Sequence, residues 1–185
     1  LDGVRVVCYQ HSAVGRDLLP DLLTTLGADV VRAGRSDTFV PIDTEAIDAA
    51  TVASIAELLP ERPMDAVVST DGDSDRPLIL GVDGRTLRFY PGDLVGMIVA
   101  EYMKADAVVV PVSCNDAIDH GSLAQALEPK TRIGSPYVVA GMQAASAKGR
   151  SVVCGWEANG GFLLGSDVTR DGRTLSCDWQ VTQLR

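Results

Sequence analysis

Seven residues, Thr70-Asp71-Gly72-Asp73-Ser74-Asp75-Arg76, place three carboxylates within five positions, separated by residues small enough to let the chain curl around a point. Three hard oxygen donors from one tight loop suit a small divalent cation such as Mg2+, which keeps several waters and takes phosphate oxygens as further ligands. Without a cation the three negative charges oppose one another's ionisation. A calcium loop of the EF-hand type does not fit, since the sixth position is Arg76 rather than glycine and the twelfth is Val82 rather than glutamate. Arg76 can join such a metal site to a phosphate through its planar fork, or serve only as counter-ion to the aspartates. Taken alone, the same residues also fit a solvated acidic turn.

A second polar loop, Gly155-Trp156-Glu157-Ala158-Asn159-Gly160-Gly161, sets one carboxylate and one amide among glycines. That pairing suits hydrogen bonding to neighbouring sugar hydroxyls, with glycine allowing the ligand close to the backbone, although a plain turn has the same composition. Arg132-Ile133-Gly134-Ser135-Pro136 reads as a strand end followed by a helix capped by Ser135 with Pro136 in its first turn, so that backbone N–H groups face any anion. Cys114, in Ser113-Cys114-Asn115-Asp116, is a possible nucleophile, but neither His11 nor His120 is tied to it by spacing, and a buried thiol is the simpler expectation. The turn Gln10-His11-Ser12-Ala13-Val14-Gly15-Arg16 either holds phosphate or is simply capped by Ser12; the second is expected.

These loops need elements to carry them. A valine-rich strand at 4–9 leads to an amphipathic helix on Val14, Leu18, Leu19, Leu22, Leu23 and Leu26, closed by Gly27. A strand at 28–32 precedes a helix capped by Asp43 or Thr44 and ended by Pro60; a strand at 65–70 and a hairpin about Asp83-Gly84 follow. Further on come a helix opened by Pro91, a strand at 107–112, a helix at 117–127, a strand at 130–133, a helix at 136–147 and a strand at 151–154. An internal repeat runs through this order. Val67-Val68, an acidic loop, Leu78-Ile79-Leu80-Gly81 and Asp83-Gly84-Arg85-Thr86-Leu87 match Val152-Val153, a second loop, Leu163-Leu164-Gly165 and Asp171-Gly172-Arg173-Thr174-Leu175, offset by 85 to 88 residues. The expectation is two similar three-layer α/β/α domains with mixed, mostly parallel sheets, divided at 1–88 and 89–185. Ligands bind outside the carboxyl ends of strands in such sheets, and both loops of the repeat lie there.

Composition narrows the partners. The 185 residues carry 16 basic and 25 acidic side chains, a net charge of −9 that repels phosphate backbones, so nucleic acid is not expected. No apolar run approaches the roughly 20 residues that cross a bilayer, so no membrane partner is expected. Cys8, Cys114, Cys154 and Cys177 are widely spaced, as reduced core thiols of a cytoplasmic protein would be, and no signal peptide opens the chain. The start at Leu1-Asp2-Gly3 has the look of a boundary inside a longer protein.

The loop at 70–76 resembles the D-G-D-G-D-R magnesium loop of the α-D-phosphohexomutases, the phosphomannomutase and phosphoglucomutase family. Residues 154–162 are similar to that family's G-E-x-S/N-G sugar loop, and Arg132-Ile133-Gly134-Ser135 stands where members carry a T-G-H-type loop. The likeness covers nearly the entire chain, as domains two and three, and is greatest to bacterial phosphomannomutases. It implies a four-domain enzyme that moves a phosphoryl group between O1 and O6 of mannose or glucose phosphate through a phosphoserine and a bisphosphate intermediate. It further implies that Asp71, Asp73 and Asp75 hold Mg2+ and that Arg76 contacts the phosphoryl group. Glu157, Asn159 and Gly160 would meet the sugar, with Arg132 and Ser135 lining the same substrate site. Ser74 departs from the family glycine, a change expected to spare metal binding if its φ is negative, and Ser135, Gly161 and Ser113 replace residues given acid or base roles in other members. No phosphoserine loop of the T-A-S-H-N-P type occurs, no domain-four phosphate loop follows, and 176–185 stop where a closing helix would continue, so the chain alone is expected to be inactive. Two other readings stand beside this one: a binding module for Mg2+ and sugar phosphate without catalysis, and a haloacid-dehalogenase-like phosphatase using Asp71 and Asp73, for which the Asp-Asp pair is missing.

Overall fold

In the computed structural model, which describes residues 1–170 and 172–175, the chain divides into two compact units, Leu1–Gly92 and Asp93–Arg185. In the first, β1 (Arg5–His11) is flanked in parallel by β2 (Asp29–Arg35) and β3 (Ala66–Thr70), with Val7 opposite Val31 on one side and Val67 on the other. β4 (Pro77–Asp83) and β5 (Thr86–Tyr90) extend the sheet antiparallel, in the order β2-β1-β3-β4-β5. The pairings are thus evenly mixed rather than mostly parallel, because the hairpin adds two strands to three. A cut at residue 88 would sever β5; the division falls after Gly92.

Val7, Val67, Leu78 and Leu80 are all fully buried on one sheet face, and α2 (Ala49–Glu57) lays Ile55 against them. Each such side chain contributes about 2 kcal/mol by leaving water. The helix starts later than its sequence suggests. Its cap is Asp48, whose carboxylate accepts from Thr51 N–H, whereas Asp43 accepts from Glu45 and Ala46 N–H in a separate turn. α1 (Leu18–Thr25) packs on β2 and buries only Pro20 fully; Val14, Leu18, Leu22 and Leu26, read as core positions, are exposed.

The second unit contains α3 (Gly92–Met103), β6 (Ala107–Val109), α4 (Ser135–Ala147), β7 (Val153–Trp156) and β8 (Phe162–Leu164). β7 lies between β6, its parallel neighbour, and antiparallel β8. Strand alternation divides the core. Val108, Cys154 and Trp156 pack with Ala100 of α3, while Ala107, Val109 and Val153 pack with Val138, Met142 and Ala145 of α4, giving three layers. The repeated hairpin is broken here: after β8 the chain pairs β9 (Val168–Arg170) and β10 (Arg173–Leu175) as a separate ribbon. No α-helix forms over 117–127; a 3₁₀ helix at Asp116–Asp119, capped by Asn115, gives way to further i→i+3 turns past Gly121. The strand expected at 130–133 is reduced to the single parallel bridge Pro111↔Thr131, preceded by Val108↔Leu127. Residues 176–185, with the expected incomplete closing helix and Cys177, lie outside the described residues.

Candidate functional site

Two loops occupy equivalent strand ends. In the first unit β3 stops at Thr70, paired with Pro77 at the start of β4, and residues 71–76 bridge the gap. Asp71 N–H donates to the Arg76 carbonyl at 3.1 Å, closing the loop. The Asp71 carboxylate turns inward, only 9% of the residue being exposed, and its Oδ1 accepts from Asp75 N–H and Arg76 N–H, both at 3.2 Å. Asp73 and Asp75 stay exposed, and the three side chains offer carboxylate oxygens that all lie within 4.8 Å of one another. Octahedral coordination at about 2.1 Å sets oxygens roughly 3 to 4 Å apart, so small rotations of the two exposed side chains close the set around a divalent ion. Arg76 Nε sits 3.8 Å from Asp71 Oδ2 and 3.6 Å from Asp75 Oδ1, offsetting part of the mutual repulsion while its side chain remains 43% exposed.

The turn after β1 supports this loop. Val14 N–H donates to the Gly72 carbonyl at 3.0 Å, Gly15 N–H donates to Ser74 Oγ at 2.8 Å, and His11 Nε2 lies 2.9 Å from the Thr70 carbonyl. A carbonyl can only accept, so His11 carries its proton on Nε2, and its buried Nδ1 has no partner among the described residues. Ser74 adopts φ +68°, a left-handed conformation, not the negative φ on which the expected tolerance of serine rests. That geometry costs about 1 kcal/mol or more for a residue with a Cβ. Ser12 does not cap α1: its Oγ accepts from Val40 N–H at 2.8 Å, so the turn is tied to a distant segment. Residue order alone leaves this turn separate from the aspartate loop. The one signal that joins them is Gly15, where a Cβ would fall 2.9 Å from Ser74 Oγ.

In the second unit β7 ends at Trp156, paired with Phe162 of β8, and residues 157–161 form the corresponding loop. Glu157 N–H donates to the Gly161 carbonyl at 3.2 Å and Gly160 N–H to the Glu157 carbonyl at 3.0 Å, with Gly160 at φ +91°. Asn159 Oδ1 accepts from Gly161 N–H at 2.9 Å, which fixes the amide on its own loop. Glu157 Oε1 accepts from Gly134 N–H at 3.1 Å, bringing this carboxylate onto the 132–136 segment. Ser135 is the first helical residue rather than the cap; Gly134, at φ +123°, takes that position. Arg132 lies over the Tyr137 ring, 5.8 Å from its centroid, a cation–π contact that orients the guanidinium. Cys114 is buried, and desolvation with Asp93 nearby pushes its thiol up to about 12, which removes it as a nucleophile.

Residues 91–180 match the family profile described as "Phosphoglucomutase/phosphomannomutase, alpha/beta/alpha domain III". The chain is 45% identical over 175 residues to a phosphomannomutase of Sinorhizobium fredii and 46% identical over 175 residues to one of Salmonella muenchen, in each case over 95% of this chain. It spans 36% of the length of each. Among solved structures, a phosphoglucomutase/phosphomannomutase family protein of Burkholderia thailandensis superposes with a TM-score of 0.61 at 16% identity, over 87% of this chain and 35% of that one, a likeness of fold. No described helix is long and apolar enough to cross a membrane. With sequence identity running across both units and the fold shared as well, the chain is similar throughout to phosphomannomutases of the α-D-phosphohexomutase family, and its residues 91–180 fit that family's domain III.

Proposed function

We propose that this chain supplies the two middle domains of a cytoplasmic phosphomannomutase-type enzyme, with 71–76 as its magnesium loop and 157–161 as its sugar loop. The observation that carries the reading is the convergence of Asp71, Asp73 and Asp75 at the carboxyl end of β3, in a chain whose relatives are named phosphomannomutases. Asp71 holds the loop closed through its two backbone acceptor bonds, leaving Asp73 and Asp75 to reach outward. A magnesium ion bound there would offset charge gathering on the oxygens of a phosphoryl group in transfer. Arg76, only loosely paired with Asp71 and Asp75, can turn its fork to the same phosphoryl oxygens. Glu157 keeps one oxygen on Gly134 N–H, which orients the other for a sugar hydroxyl. Phosphoserine and distal-phosphate groups come from the further domains that this reading requires. Buried, unpaired Cys8, Cys114 and Cys154 fit a reducing compartment. No observation favours the phosphatase reading.

Calorimetric titration with Mg2+ tests the assignment. Asp73→Ala is expected to weaken binding at least tenfold while leaving the fold intact; equal affinity in the two proteins would refute the loop's role. The chain alone is expected to give no turnover of mannose 1-phosphate in a coupled assay supplied with the hexose bisphosphate.

A further inference from the structure

The aspartate loop rests on the turn that follows β1, and Ser74 is where the two meet. We propose that Ser74 is a positioning residue that holds the loop converged before any cation arrives, with Gly15 as the partner it requires; the metal-affinity part of this inference rests on the magnesium reading above. Ser74 stands between Asp73 and Asp75, so fixing its backbone fixes the origin of both outward carboxylates. Its φ of +68° suits glycine, yet the position carries a side chain whose Oγ accepts from Gly15 N–H at 2.8 Å and from the Thr70 hydroxyl at 2.9 Å. Glycine would relax the backbone and leave both donors without that acceptor. The equivalent loop of the second unit shows the alternative: its left-handed position is Gly160, which has no side chain, and the loop is tied to the 132–136 segment through Glu157 instead.

Gly15 completes the contact. An added Cβ would lie 2.9 Å from Ser74 Oγ and 3.0 Å from Ser74 Cβ, so only glycine lets its N–H come within bonding distance of the hydroxyl. With Val14 N–H on Gly72 and His11 Nε2 on Thr70, the turn meets the loop at its start, middle and crest. Ser74 is the one of these contacts made by a loop side chain.

The test compares Ser74→Ala, which keeps the strained Cβ and loses both bonds, with Ser74→Gly, which loses the bonds and the strain. In the metal-free protein, exchange of the Gly15, Asp75 and Arg76 amides is expected to accelerate about fivefold in Ser74→Ala, the factor of one lost hydrogen bond. Mg2+ affinity is expected to fall about tenfold, as for other residues that orient metal ligands. Gly15→Ala should mimic the loss in the wild-type background and cost much less in Ser74→Gly, where no side chain opposes the new methyl. Unchanged amide exchange, or unchanged Mg2+ affinity with the parent binding normally, overturns the inference. A parent chain that binds no Mg2+ refutes the magnesium reading instead, and the exchange rates then decide the clasp by themselves. If Ser74→Ala fails to fold, Ser74→Gly carries the same two measurements.

Discussion

The loops at 71–76 and 157–161 leave the same kind of strand, one with a parallel neighbour on one side and an antiparallel partner on the other, and both close with a hydrogen bond from their first residue to their last. They differ in what the closed frame presents. The first gathers three carboxylates and an arginine, and the second presents one carboxylate, one amide and two glycines. Their left-handed residues differ too, Ser74 in one and Gly160 in the other. The strand ends therefore set where ligands can approach, while side chains on a common frame set whether hard-cation or hydroxyl chemistry is available there.

The sharpest way to break this comparison lies one residue inside each loop's strand, at Ser69 and Gly155. A Cβ on Gly155 would sit 2.6 Å from the Val109 carbonyl oxygen, 2.7 Å from Val138 Cγ1 and 2.9 Å from Met142 Sδ; the methionine can give way, but the backbone oxygen cannot. Gly155→Ala is expected to cost about 3 kcal/mol in urea denaturation. Ser69→Ala, which only deletes a hydroxyl bonded to the Tyr9 carbonyl, should cost about 1 kcal/mol. Equal losses would mean that the close approach at Gly155 is relieved as cheaply as the loss of one hydrogen bond.

Smaller effects distinguish the bases of the two sheets. Asp65 accepts from Arg5 N–H at an exposed edge, whereas Asp106 accepts from Ser151 and Val152 N–H at 2.8 to 3.0 Å. Burial opposes ionisation of Asp106, but these donors outweigh it and hold the carboxyl below its ordinary range. Its contribution is present above the unfolded-state value near 3.8 and disappears as pH falls through the lower folded value. Asp106→Ala should cost about 2 kcal/mol at pH 7, with the variant and parent stability curves converging below pH 4. The last effect runs the other way in pH. Desolvation pushes the Cys154 thiol from 9.0 up to about 12, so the unfolded chain releases that proton first and stability falls between those values. At pH 10 this amounts to about 1 kcal/mol, and thermal midpoints of Cys154→Ala should decline less steeply from pH 9 to 11 than those of the parent.

Much of this was legible in residue order. Valine-rich runs, the Asp83-Gly84 turn and the repeat offset locate both loops at strand ends, because strand alternation and turn preferences act over a few neighbours. Local pattern misled where distant groups decide. The leucine stripe about α1 reads as a core face, but Leu18, Leu22 and Leu26 stay exposed, and Asp43 has the chemistry of a helix cap while Asp48 has the position. The apolar spacing over 117–127 predicts a helix that gives way to 3₁₀-type turns.

Composition and spacing by themselves determined the aspartate loop, the glycine-rich loop at 157–161, the duplicated strand-loop-strand unit and the acidic surface, since each follows from covalent neighbours within reach of one another. Only the tertiary structure decided that Glu157 reaches Gly134 N–H and that His11 and Gly15 meet the aspartate loop about 60 residues away. It also decided that Ser74 adopts a conformation suited to glycine. Those outcomes depend on which chain segments the sheet lays side by side, because a hydrogen bond acts only across about 3 Å and has no signature along the sequence.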